Sequence, residues 1–246
     1  MKPGLVSSWF RLFAVQDSWN YERMGGVGIA SALEPLLRDL PGGTAGARYR
    51  EAMGRAVGFF NSHPYLAGVA VGAVAKAEHE GVPAAQIERM KSALTSSLGS
   101  MGDRLVWAGV LPLGSGIGLA LAATGPWWIG PGVFLVLFNM VHLALRIWGL
   151  RAGWRSGTRV AGALASPLLR NGLRVAGPLA GLAVGLSIPL IAAWLGAGFA
   201  PLAQVGVIGV VSVGVMLSLW LAPTLGGLRF GLAVGGLALL AGLVWR

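Results

Sequence analysis

The chain has 246 residues, of which 55% are hydrophobic and only 11% charged, whereas a soluble domain carries about 25% charged residues to face water. That is too few to coat a water-soluble globule of this size, so lipid is the expected solvent. The net charge of +10 does not point to nucleic acid: all nine acids lie at or before Asp103, nine of the nineteen bases follow it, and the later arginines end apolar runs instead of lining a polar face.

In chain order, residues 1–103 are mixed in character and show no cleavable signal pattern at their start. A short helix is expected over 28–40, ended by Pro41-Gly42-Gly43, and a second over 47–60 carrying Arg48, Arg50, Glu51 and Arg55. Residues 65–75 are apolar and glycine-rich but too short to cross a bilayer, which takes about twenty residues. A re-entrant piece, an interfacial piece and a buried helix all fit them. Pro83 opens a further helix that ends near Gly99, proline being suited to a first helical turn.

From Leu105 the chain changes solvent. Five apolar segments follow, at 105–124, 127–145, 175–197, 202–224 and 230–245, each near the length of a spanning helix. The first two form a hairpin around Gly125-Pro126. Between the second and third lie Arg146, Arg151, Arg155, Arg159, Arg170 and Arg174, which make that loop cytoplasmic by the positive-inside rule. Arg146, Arg151 and Arg155 are therefore assigned to topology, with anionic lipid as a further contact. The pentapeptide Gly-Leu-Ala-Val-Gly occurs at 181–185 and 231–235 and has the spacing that puts two glycines on one helix face.

The expected fold is an all-α polytopic membrane protein with about five full transmembrane helices in its C-terminal half. Residues 1–103 form an N-terminal region of short amphipathic and re-entrant helices; residues 104–246 form the transmembrane region.

Enzyme signatures are missing. There is no GxxxxGK[ST] phosphate loop, no H-E-x-x-H and no G-x-S-x-G elbow, and cysteine is absent, so no thiolate site exists. No catalytic residue, metal site or cofactor is expected. What remains are polar groups in apolar surroundings: Ser18 to Met24 with Asn20, Glu22 and Arg23; Phe59 to Tyr65 with Asn61 and His63; Gly99 to Arg104 with Asp103; and Asn139. Amides and carboxylates beside aromatics suit sugar recognition, since they bond ring hydroxyls while aromatics cover apolar ring faces. Asn20, Glu22, Asn61 and Asp103 are the candidate substrate contacts. Each has a plainer reading: a Glu22–Arg23 ion pair at the interface, Asn61 and Asp103 as helix caps, Asn139 as an interhelical bond, and His63 and His142 as packing residues.

These segments carry a family resemblance. Trp19 to Met24, Phe59 to Tyr65, Gly102-Asp103 followed by Trp107 and Pro112, and Gly130-Pro131 followed by Phe138-Asn139 resemble, in order and spacing from about Ser8 to Gly157, the IID component of the mannose/fructose/sorbose family of the bacterial phosphotransferase system. The resemblance implies a multi-pass subunit of the bacterial cytoplasmic membrane. It pairs with a IIC subunit in a hetero-oligomer and passes a hexose inward while IIA and IIB phosphorylate it, fed from phosphoenolpyruvate through enzyme I and the histidine phosphocarrier protein. It also implies that IID itself carries no phosphorylated residue, so His63 is not a phosphohistidine. The chain departs from the family pattern at Gly25 (commonly Gln), at Glu78-His79 (commonly Glu-Glu), at Leu111-Pro112 (commonly Arg-Pro) and at His142 (commonly Arg). The departures at Gly25, Leu111 and His142 favour an alternative, a membrane scaffold or regulatory homologue that keeps the fold without transport.

Overall fold

The computed structural model describes residues 4–195 and, beyond them, the single positions 197, 205, 206, 209, 213 and 216. The expected spans at 202–224 and 230–245 therefore lie outside the described residues, apart from those scattered positions. Among the described residues the chain is helical, with two isolated backbone bridges, Asn20–Met24 and Met24–Phe60, and no strand.

The first short helix, α1 (Leu5–Arg11), packs on α2 (Gly26–Leu37). Pro35 sits inside α2, and a proline has no N–H to give the carbonyl four residues back. That carbonyl belongs to Ser31, and Arg11 Nη1 donates to it at 3.0 Å while also reaching Glu34 Oε2 at 2.8 Å. Ser8, fully buried, donates to the Ala32 carbonyl at 2.7 Å. Arg38, one turn along, grips the other side of Glu34, and this hydrogen bond, with the charges of Arg38 and Arg11, holds the Glu34 carboxyl below its ordinary range.

Helix α3 (Ala47–Ala56) stops before the expected residue 60. The buried Lys91 ammonium donates to the carbonyls of Arg55, Ala56 and Gly58 at 2.8, 2.9 and 3.1 Å, satisfying the terminal groups that a helix end leaves open. Arg55 in turn forks onto Glu78 at 3.0 and 2.8 Å.

Residues 65–75 form neither a span nor a surface piece. They become α4 (Ala67–His79), a helix of Ala, Gly and Val buried almost throughout. Its partner is α7 (Ile129–Ser156). Gly68 and Gly72 on α4 face Gly149 and Gly153 on α7: a Cβ at Gly72 would overlap the Leu150 carbonyl and Trp154 nitrogen, and one at Gly153 would overlap the Val69 carbonyl. The two backbones touch, which is the close packing that small residues four apart allow. Among the described residues nothing comes within 4 Å of a Cβ at Gly181 or Gly185, so the first copy of the repeated pentapeptide makes no such contact there; the second lies outside the described residues.

The helix begun at Ala84 does not end near Gly99. It runs unbroken as α5 (Ala84–Gly102), a π-helical stretch (Asp103–Val110) and α6 (Leu111–Thr124). Leu111 N–H bonds to the Val106 carbonyl five residues back, and Pro112 just beyond has no N–H to offer; a wider register relieves that fault. The change from mixed to apolar sequence at 103/104 thus falls inside one helix. Helix α6 turns at 125–128 into α7, forming the expected hairpin, and lies against α9 (Pro167–Leu195) after the short α8 (Val160–Leu164). Among the described residues three helical stretches, Ala84–Thr124, Ile129–Leu164 and Pro167–Leu195, are long and apolar enough to cross a membrane. The protein is a multi-pass membrane protein.

Candidate functional site

The Asn20 and Asn61 segments meet in a backbone clasp. Asn20 and Met24 exchange N–H to carbonyl bonds at 3.3 and 2.8 Å, Phe60 N–H donates to Arg23 O at 3.2 Å, and Gly25 N–H donates to Phe60 O at 2.9 Å. The Asn20 side chain shapes this turn: its Oδ1 accepts from the Glu22 and Arg23 amides at 3.1 and 2.9 Å, a role suited to asparagine in turns. Glu22 projects outward with Arg23 3.7 Å away and its own side chain 82% exposed. Asn61 is exposed, and α4 has no side-chain cap at its N-terminus. Behind the clasp a cleft of about 40 Å³ is lined by Trp19, Gly25, Phe60, Asn61 and Ser62 among others. That is room for a water or two, far short of a hexose.

Two residues past Asn61 the chain dives inward. His63 is only 2% exposed and lies on Gly102, where any Cβ would overlap its ring. Its Nδ1 accepts the Tyr65 amide at 3.2 Å, so the neutral ring carries its proton on Nε2, which finds no partner among the described residues. Burial pushes the imidazole down to about 4, against the pull of nearby Asp103 and with that of Arg146. The folded ring is therefore neutral at pH 7, while the unfolded ring takes up a proton below its ordinary value of 6.5. This contribution to stability is whole above pH 6.5 and drains away as pH falls toward 4. His63→Asn, which keeps an acceptor for the Tyr65 amide, should flatten the fall in melting temperature between pH 7 and 5; an unchanged slope would place the titration elsewhere.

Tyr65 is the hub of the interior. His142 stacks on it with ring centroids 4.5 Å apart, His63 meets it edge-on at 5.0 Å, and Trp107 and Phe138 each lie 6.0 Å away. Arg146, expected in a cytoplasmic loop, lies inside α7 and is 4% exposed. Its guanidinium stands 4.9 Å from the Phe13 ring centre and 5.1 Å from that of Tyr65, and Nη1 donates to the Leu12 carbonyl. Arg151 and Arg155 are exposed, also on α7. Asp103 is exposed inside the continuous helix and caps nothing. Asn139, exposed on α7, returns its amide to the Leu135 carbonyl of its own helix at 2.8 Å and makes no interhelical bond among the described residues.

The structure therefore joins Asn20, Glu22 and Asn61 through the clasp and sets Asp103 beside His63 at its inner end. Sequence reasoning missed Tyr65 as a hub, Lys91 as a helix cap and Arg146 as a buried cation. The signal for Arg146 was there: Ile147-Trp148-Gly149-Leu150 continues the apolar pattern beyond it.

The polar clasp, its inner end and the first two spanning helices all fall within residues 2–174, which match the family described as the PTS system mannose/fructose/sorbose family IID component. The chain belongs to this IID family. It is 30% identical over 189 residues to the mannose-specific EIID component of Escherichia coli K12, covering 72% of this chain and 66% of that relative. The sorbose-specific EIID component of Klebsiella pneumoniae is 30% identical over 200 residues, covering 76% and 72%. The fructose permease IID component of Bacillus subtilis is 28% identical over 203 residues, covering 77% and 73%. This IID chain thus spans just under two thirds of the length of the E. coli relative. Two solved chains share the fold at 26% identity, each match covering 74% of this chain and 68% of the other: one described as a membrane protein, TM-score 0.65, and one from the mannose transporter ManYZ in complex with microcin E492, TM-score 0.59. The IID match ends inside α9.

Proposed function

We propose that this chain is the IID permease subunit of a phosphoenolpyruvate-dependent sugar phosphotransferase system in the bacterial cytoplasmic membrane. It translocates a hexose together with a IIC subunit, while cytoplasmic IIA and IIB components carry out the phosphoryl transfer. The observation that carries this reading is the unbroken family match over residues 2–174, which takes in every polar segment described above. The relatives named for mannose, sorbose and fructose support a hexose-class substrate.

In this reading Glu22, Asn61 and Asp103 line or flank the sugar path, and Asn20 supports it by holding the turn that presents Glu22. All three path residues are exposed on this chain, as groups shared with a IIC partner must be. In this reading the path runs on the outer side of the clasp, because the cleft behind it is too small for a sugar. At Gly25 a Cβ would meet the Phe60 carbonyl at 3.4 Å, an ordinary contact, so the backbone packing there does not itself demand glycine.

The test is uptake of labelled hexose by cells carrying this chain with its neighbouring IIC, IIA and IIB. Phosphorylated sugar should accumulate, and Asn61→Ala and Asp103→Asn at normal expression should each lower uptake about tenfold, the worth of one substrate hydrogen bond. Unchanged uptake in both variants would move the sugar contacts off these residues. Uptake of unmodified sugar that survives loss of IIA and IIB would instead describe a channel, and no uptake with any partner set would describe a scaffold.

A further inference from the structure

One face of the fold is apolar, exposed and ends in unpaired positive charge. Helix α1 turns Val6 (54% exposed) and Phe10 (62%) outward, and Phe13 in the turn after it follows at 42%. Such a stripe belongs in the acyl boundary of a bilayer. Between α1 and α7 runs a groove of about 320 Å³, lined by Leu5, Val6, Trp9 and Phe10 from the α1 side and by Ile147, Leu150 and Arg151 from α7. The indole N–H of Trp9, a residue lining this groove, has no hydrogen-bond partner among the described residues.

Arg151 does not stand alone. Arg155 and Arg159 follow it at four-residue steps, on the last turns of α7 and just past its end. All three are exposed, and none makes a hydrogen bond or ion pair among the described residues. No Asp or Glu follows Asp103 in the sequence. A helix C-terminus, with its negative dipole end, stabilises such cations without removing their charge from the surroundings.

We propose that the α1–α7 groove holds an acyl chain of an anionic phospholipid whose phosphate is gripped by Arg151, with Arg155 and Arg159 adding to the attraction. The groove supplies the apolar wall, and the arginine supplies a charge-assisted contact to phosphate oxygens. A membrane-facing apolar slot closed by an unpaired cation selects a lipid with a negative headgroup over a zwitterionic one. A protein helix would need to bring its own acid to this spot. The lipid ties α1 to α7, the helix whose Arg146 already holds the Leu12 carbonyl.

The test uses the full chain purified with whatever partner co-purifies, presented with equimolar phosphatidylglycerol and phosphatidylcholine and examined by native mass spectrometry. The wild type should retain phosphatidylglycerol over phosphatidylcholine about five-fold, the typical worth of one basic residue near an anionic surface. Arg151→Gln should bring the two to parity. Arg170→Gln, which removes an exposed arginine of α9 outside the groove, should leave the preference intact. Val6→Trp, which fills the groove, should lower retention of both lipids. Equal retention of the two lipids by the wild type, or the same loss from Arg170→Gln as from Arg151→Gln, would overturn the proposal. So would a photo-crosslinker at position 10 that captures polypeptide in membranes and no lipid.

Discussion

Gly153→Val is expected to remove the folded protein from the membrane fraction, or to leave a remnant that melts far below the wild type. The obstacle is backbone, not side chain: a Cβ at Gly153 overlaps the Val69 carbonyl and comes within 2.9 Å of the Ala73 nitrogen. Neither can swing aside, because α4 is buried along nearly its whole length. Overpacking a well-filled core costs about 1–3 kcal/mol when side chains can give, and a rigid helix wall raises that figure. Against a total stability of roughly 5–15 kcal/mol, the α4–α7 crossing fails. The position of the glycine decides the effect. Gly149→Ala meets the Val69 side chain at 3.2 Å and its backbone nitrogen at 3.3 Å, wider than the overlaps at Gly153, and should cost less. Gly181→Val meets no described atom within 4 Å and should cost the least of the three. Thermal melts of the three in one detergent give the order, and equal loss in all three would sink the crossing as the cause.

Arg146→Ala is the second large effect, about 3 kcal/mol or on the order of 10 °C in melting temperature. Two costs add: the buried Leu12 carbonyl loses its donor, and the guanidinium's place between Phe13 and Tyr65 becomes a void. Arg146→Met refills much of the void and should recover part of the loss, which separates packing from hydrogen bonding. Arg151→Ala, five residues on and exposed, should leave the melting temperature unchanged. If Arg146 served only to mark the cytoplasmic side, Arg146→Ala and Arg151→Ala would behave alike.

That contrast shows what the linear chain revealed and what it hid. Hydropathy located the helices around 105–124, 127–145 and 175–197 because burial in lipid is a property of a window of residues, readable one segment at a time. It misplaced their ends. Arg146 looked like the start of a loop, since an isolated cation normally marks the membrane surface, and only the third dimension brings Leu12, Phe13 and Tyr65 around it. The same holds for α4: its glycine spacing at 68 and 72 was as visible as that at 181 and 185, yet which pair meets a partner depends on α7 lying alongside. The polar segments of the clasp were legible as residues, from Trp19 to Met24 and from Phe59 to Tyr65. Their joining through the Met24–Phe60 bridge was not, because a two-residue backbone contact leaves no pattern in either segment. Asp103 misled for a related reason: a carboxylate before an apolar run resembles a helix start, whereas the helix had begun at Ala84 and was already turning.

The pairing of α4 with α7 also bears on biosynthesis. Residues 67–79 emerge from the ribosome well before residues 149–153 exist, and their natural cover is the far end of a helix that must itself first be threaded into the bilayer. Until then, the small-residue face of α4 is a vacant berth inside the nascent chain. A chain stopped after Thr124 would keep that face bare permanently and should be cleared by membrane proteases, while one extended through Ser156 can close it. Membrane insertion and completion of the N-terminal body are thus a single event, timed by the arrival of α7.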